Sequence, residues 1–144
     1  MNQLTIAAGC PSYPGIYAPA SDVTQVFEKM KSFRRQKHTT IQAAVREYAY
    51  QYKIVIHLKN FQKGDLVVMT HERRLVIVSK NKMAVSIKGF RPLPGTRFSY
   101  GTVPLPGDVD VEFSCAAYRN GLLEIHLSKS GIKTQDYDQL INIY

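Results

Sequence analysis

The stretch Leu105–Lys129, LPGDVDVEFSCAAYRNGLLEIHLSK, decides how this chain is read. It runs through a turn, a strand, a two-residue corner at Asn120-Gly121 and a second strand. Asn-Gly between two apolar runs is the strongest short hairpin signal, because both residues tolerate the positive φ of a tight primed turn. In the first run Val111, Phe113 and Cys115 alternate with Glu112, Ser114 and Ala116, so the strand has two faces. Small Ala116 and Ala117, beside Leu122, Leu123 and Ile125, predict close sheet-to-sheet packing near the corner.

Upstream the same period of two recurs. Ala43 to Tyr48 reads as one strand and Tyr52 to Leu58 as another, with Tyr52, Ile54, Ile56 and Leu58 on one face. Lys53, Val55, His57 and Lys59 take the opposite, wetter face. Lys59 to Gly64 is turn material, and Leu66 to Thr70 and Leu75 to Ser79 flank a second turn around His71-Glu72-Arg73-Arg74. Met83 to Ile87 is expected as a strand, inside a long connection that runs from Lys80 to Arg97. A last strand covers Arg97 to Val103. Seven or so short strands with no internal helix argue for an all-β, immunoglobulin-like β-sandwich.

The first forty residues differ. Gly9, Pro11, Pro14, Gly15 and Pro19 interrupt regular structure, while Tyr13 and Tyr17 add apolar surface. Ser21 or Asp22 can cap a helix through Gln36 that sets Val23, Val26, Phe27, Met30 and Phe33 near one face. That helix can pack on its own domain or serve as an arm toward other chains, and both readings stay open.

Composition excludes several classes. At 144 residues the chain holds one domain plus extensions, large enough for a core without metals or disulfides. Two cysteines, Cys10 and Cys115, make no disulfide framework, which sets a reducing compartment as the default and Cys115 as a small buried filler. No apolar run reaches the length of a membrane span. Ala7-Ala8-Gly9-Cys10 resembles a lipoprotein box, but no Lys or Arg precedes it and Leu4 to Ala8 is too short for a signal core. The net charge of +8 is spread along the chain, with Arg34-Arg35-Gln36-Lys37 as its one short cluster, so nucleic acid ranks below other partners. There is no phosphate loop or dinucleotide fingerprint, and His38, His57, His71 and His126 are scattered. No cofactor, metal or catalytic site is expected.

Ala116-x-x-x-Asn120-Gly121-x-Leu123, preceded by Leu105-Pro106 and followed by Lys129, resembles the signature that ends the α-crystallin domain of small heat-shock proteins. Tyr52 to Lys80 is similar to that family's three central strands. Leu58-Lys59-Asn60-Phe61 stands where many members have Leu-Pro-Gly-Phe, without the Pro-Gly. The position of a family interface arginine falls on Gly101. Ile141-Asn142-Ile143, behind a polar tether, looks like the family's Ile-x-Ile tail motif.

The resemblance implies a variable arm at 1–40, an α-crystallin-like sandwich at 41–129 and an extended tail at 130–144. It further implies that Ile141 and Ile143 enter a groove on a neighbouring subunit, edged by Leu66 and Val68 on one strand and by Phe113 and Cys115 on another. The function implied is an ATP-independent holdase chaperone in the cytoplasm that captures unfolding client proteins through the arm (Tyr13, Tyr17, Phe27, Phe33) and the groove. Homodimers, joined by a strand exchanged from the Lys80–Arg97 loop or by edge-to-edge pairing, would assemble into larger oligomers. The rivals are a monomeric adaptor on a similar sandwich and a basic nucleic-acid-binding protein.

Overall fold

The computed structural model describes residues 5–6, 28, 40–130, 139–141 and 143. Among the described residues the strands are, in chain order, β1 Thr5–Ile6, β2 Ala44–Glu47, β3 Gln51–His57, β4 Leu66–His71, β5 Arg74–Ser79, β6 Arg91–Pro92, β7 Ser99–Pro104, β8 Val109–Arg119, β9 Leu122–Lys129 and β10 Gln139–Ile141. Sheet A has the order β1-β10-β4-β5-β7-β6, and sheet B the order β2-β3-β9-β8. Apart from the parallel β1–β10 pair, every strand pairing is antiparallel.

The two sheets close on one apolar core. From sheet B it takes Tyr52, Ile54, Ile56, Leu123, Ile125 and Leu127; from sheet A it takes Leu66, Val68, Leu75, Ile77 and Val103. The alternation read from Tyr52 to Leu58 matches this inward face. The Asn120-Gly121 corner has φ of 51° and 78°, as a primed turn requires. Glu72 and Arg73 form a second positive-φ pair, at 50° and 60°, in the β4–β5 hairpin, which contains no glycine to announce it.

Two local arrangements replace family features missing from the sequence. In the turn after β3, Asn60 supplies the positive φ of 68° where Pro-Gly is lacking. The Tyr118 hydroxyl then donates to the Leu58 carbonyl at 2.5 Å and accepts from the Phe61 amide at 3.2 Å. Leu58 also donates its amide to the Gly121 carbonyl at 2.8 Å, so the hairpin signature holds this end of the sandwich closed.

The second arrangement is at Gly101. A Cβ there would overlap the side chain of Ile41, which is buried against β7 with its amide bonded to the Thr102 carbonyl at 3.0 Å. Gly89, at φ +98°, lies equally close: its Cβ would come within 2.6 Å of the Thr40 carbonyl oxygen. Ile41 therefore occupies the space an arginine side chain at 101 would need.

One expected strand is absent. Lys82–Ser86 is a 3-10 turn. Asn81 accepts from the Met83 amide at 2.9 Å, and Ser86 Oγ donates to the Met83 carbonyl at 2.6 Å. These local bonds satisfy the backbone without a ladder, and Met83 and Val85 stay exposed. A second 3-10 turn, Lys63–Asp65, precedes β4. The expected helix from Ser21 to Gln36 lies outside the described residues except for Glu28, which is helical and exposed.

Candidate functional site

A sandwich leaves open sides where its two sheets diverge. Here one such side lies between β4 of sheet A and β8 of sheet B, and β10 fills it. Ile141 pairs with Val68 and Leu140 with Met69 along β4. Ile143 makes a parallel bridge to Ala116 on β8. The tail thus touches one sheet with Ile141 and the other with Ile143, and both side chains join the main core beside Leu66, Val68 and Ala116. Their exposures are 1% and 4%. The Gln139 amide donates to Thr70 Oγ1 at 3.0 Å and fixes the start of the strand.

Leu66 and Val68 lie on the inward face of β4, in the main core. On β8 the pattern differs. Ser114, Ala116 and Tyr118 stand opposite Leu127, Ile125 and Leu123, so these residues face the core. Cys115 stands opposite His126 and takes the other face of the sheet, so Ala116 forms the groove's second wall in its place. A bulge between Asp110 and Ser114 breaks the register that a plain alternation assumes. Phe113 lies within β8, and its side chain is outside the described residues. So are Tyr13, Tyr17, Phe27 and Phe33.

Cys115 departs from expectation in a second way. It is disulfide-bonded and is not a free buried thiol. The other cysteine of the sequence, Cys10, lies outside the described residues.

The tail occupies the groove of its own chain. The loop strand does likewise: β6 pairs Arg91 with Tyr100 and Pro92 with Ser99 on its own β7. By contrast β2, at the outer edge of sheet B, is exposed along its length, with Val45 and neighbouring Tyr48 and Tyr50 presenting apolar surface.

Where β9 hands over to the tail, polar contacts tie the chain down. Tyr52 donates to Asp108 Oδ1 at 2.6 Å, Lys129 Nζ meets Glu47 Oε2 at 2.8 Å, and Ser130 donates its amide to the Asp108 carbonyl at 2.8 Å. Lys129 Nζ also lies 4.9 Å from the centre of the Tyr52 ring. The hydrogen bond to Asp108, with burial and the Asp108 and Glu47 charges behind it, pushes the Tyr52 phenol up to about 12. Among the described residues no group of three or more His, Cys, Asp or Glu is placed to hold a metal ion, and no helix is long and apolar enough to cross a membrane.

The model of the Hsp20/alpha crystallin family matches residues 44–144, which contain the sandwich, the hairpin signature and the tail. The chain belongs to that family. Its members are small heat-shock chaperones, a family of oligomer-forming, client-binding proteins and not of enzymes. Among solved structures it is similar to a small heat-shock protein from Xylella fastidiosa, at 19% identity and a TM-score of 0.48, over 69% of this chain and 94% of that one. Heat shock protein 16.0 from Schizosaccharomyces pombe matches at 24% identity and a TM-score of 0.47, over 69% and 83% of the two chains. A small heat-shock protein from Synechococcus phage S-ShM2 matches at 22% and 0.42, over 62% and 86%. No curated protein sequence matches the chain.

Proposed function

We propose that this chaperone is an ATP-independent holdase whose groove between β4 and β8 accepts an apolar Ile-x-Ile strand from its own chain or from another. The observation that supports it is the seating of Ile141 and Ile143 across both sheets. Two isoleucines leaving water contribute roughly 3–6 kcal/mol gross, less the ordering of the tail. A link that weak opens readily. The nine residues from 130 to 138 keep the freed strand at an effective concentration on the order of millimolar, so a neighbour's tail competes once subunits are held together. Each opening bares the groove to apolar segments of unfolding clients, and capture by apolar contact needs no catalytic group or common client sequence.

Dimerisation in this reading uses the 80–97 loop, whose β6 moves from its own β7 to a partner's sheet edge. Exposed β2, with Val45, is the edge we assign to receive it, since an uncovered strand edge invites pairing. We place the protein in the cytoplasm on its membership of the small heat-shock family, against the Cys115 disulfide, which is the mark of an oxidising compartment. Cys115 found oxidised when free thiols are alkylated at the moment of cell lysis would move it to an oxidising compartment.

One observation favours a second reading, the monomeric adaptor: both β10 and β6 are satisfied within their own chain. Heating an aggregation-prone model protein with the purified chain, without nucleotide, separates the two. Light scattering suppressed in proportion to added chain is the holdase result. Undiminished aggregation at a several-fold excess of chain supports the adaptor.

A further inference from the structure

Sheet B carries its charge on the side away from the core. Tyr52, Ile54 and Ile56 of β3 and Leu123, Ile125 and Leu127 of β9 point inward, so the residues between them point out. The register aligns those outward residues in rows across the strands. Arg46, Lys53 and His126 form one row, which ends at Cys115 on β8. Ala44, Val55, Glu124 and Ala117 form the next, and His57, Leu122 and Arg119 a third. Tyr48 donates its amide to the Gln51 carbonyl at 2.8 Å, which continues the β2–β3 ladder and sets Tyr48 on the outer face beside Arg46. Arg46, Tyr48, His57 and Arg119 are exposed, and Lys53 and His126 are half-buried.

Arg46 and Arg119 are distant in the sequence, so no basic cluster announces this face; the register of the sheet assembles it. Glu124 is the acidic group within the three rows, 3.6 Å from Lys53 Nζ and 3.9 Å from His126 Nε2. Arg46, Lys53 and Arg119 outweigh it, and the face is basic. Beside Glu124 the surface dips into a half-open pocket of about 290 Å³, lined by Ala117, Arg119, Asn120, Leu122 and Glu124. Small Ala117 leaves the space, Leu122 gives it an apolar wall, and Arg119, Asn120 and Glu124 supply donors and acceptors. That volume is at the small end of ligand pockets, with room for one flat ring. At the opposite edge of the sheet Tyr48 and Tyr50, 43% and 86% exposed, present ring faces to solvent.

We propose that the outer face of sheet B binds single-stranded nucleic acid. Arg46, Lys53 and Arg119 take its phosphates, Tyr48 stacks on one base, and the pocket beside Arg119 receives another. Cations that track a backbone, with aromatic rings between them for the bases, are the means by which single strands are held without regard to sequence. An acidic peptide would use the cations and leave both the rings and the pocket idle. The face is separate from the tail groove, so it adds a second partner to the chaperone and does not depend on the holdase reading.

The anisotropy of a fluorescent oligouridylate of about 20 nucleotides, titrated with the full chain, tests the assignment. Three phosphate contacts give a slope of about −2 for log affinity against log salt, a fall of roughly fifteen- to twentyfold between about 50 and 200 mM. An oligouridylate that does not bind at the lower salt rules the site out. Arg46→Gln/Arg119→Gln is expected to flatten the slope to about −0.7. Arg73→Gln/Lys63→Gln removes the same charge at the two ends of β4 and is expected to leave the slope as it was. Equal effects from the two pairs would show that binding answers to net charge alone, and would overturn the proposal. Tyr48→Ala is expected to weaken binding at least about fivefold at an unchanged slope, and an unaltered affinity refutes the stacking. Polyglutamate of matched charge is expected to displace the oligonucleotide poorly. Displacement at equal concentration makes an acidic protein the partner and sinks the nucleic-acid assignment. The substituted side chains are exposed or half-buried, and protection of the β9 amides checks that each variant keeps its sandwich.

Discussion

Replacing Ile141 and Ile143 together by alanine attacks the contact on which the groove depends. Each side chain is almost fully buried, Ile141 against Val68 and Ile143 against Ala116. Inside a rigid core each truncation would cost about 2–5 kcal/mol, because a cavity remains. A tail can leave instead, so the loss is limited to the transfer free energy of the removed groups, about 3–5 kcal/mol for the pair. At 1.4 kcal/mol per tenfold, the ratio of docked to undocked tail falls by at least about a hundredfold. Amide hydrogen exchange reports that ratio directly. Residues 139–141 and the β4 amides facing them are expected to lose protection in the double variant, each single variant having roughly the square-root effect. The β3 and β9 amides, paired within sheet B, should be unaffected. Unchanged exchange at 139–141 would refute the reasoning, since the strand would then be held by its ladder and not by the isoleucines.

Three further outcomes are expected. Tyr118→Phe removes the clamp on Leu58 and Phe61 and leaves buried backbone groups without it, which should lower stability by about 1–3 kcal/mol in denaturant titration. Gly101→Ala collides with Ile41 and should cost about 1–3 kcal/mol, whereas in an Ile41→Ala background the same change should cost less, a coupling that a double-mutant cycle measures. Tyr52 has a folded pKa pushed up to about 12, so the folded chain holds that proton more tightly than the unfolded one. Its contribution is complete below about pH 10 and is lost as pH rises toward 12, so the stability difference between wild type and Tyr52→Phe should narrow across that window.

Much of this architecture is legible in the sequence because sheet packing writes a period of two. Tyr52, Ile54 and Ile56 announce the inward face of β3, and Asn120-Gly121 announces the turn its φ angles confirm. What was misread has local causes. The β8 bulge between Asp110 and Ser114 shifts register, so counting from Val111 puts Cys115 on the wrong face. Met83 and Val85 mimic a strand, but Asn81 and Ser86 satisfy the backbone locally, and the side-chain signal for that was Asn-x-Met with Ser three residues on. Gly101 read as a missing arginine. Its structural meaning depends on Ile41, sixty residues away, and only the fold brings the two together. The disulfide at Cys115 had no local signature at all. The tail motif was readable from its two isoleucines, but whose groove it enters is a question of concentration, which no spacing encodes.

Light scattering of the purified chain across a hundredfold range of concentration asks that question most directly. The expected result is a mass that climbs with concentration from near 16.3 kDa to multiples of it, and that stays low in Ile141→Ala/Ile143→Ala. A mass fixed at 16.3 kDa throughout would mean the tail never leaves its own groove for another, and would contradict exchange as the basis of assembly.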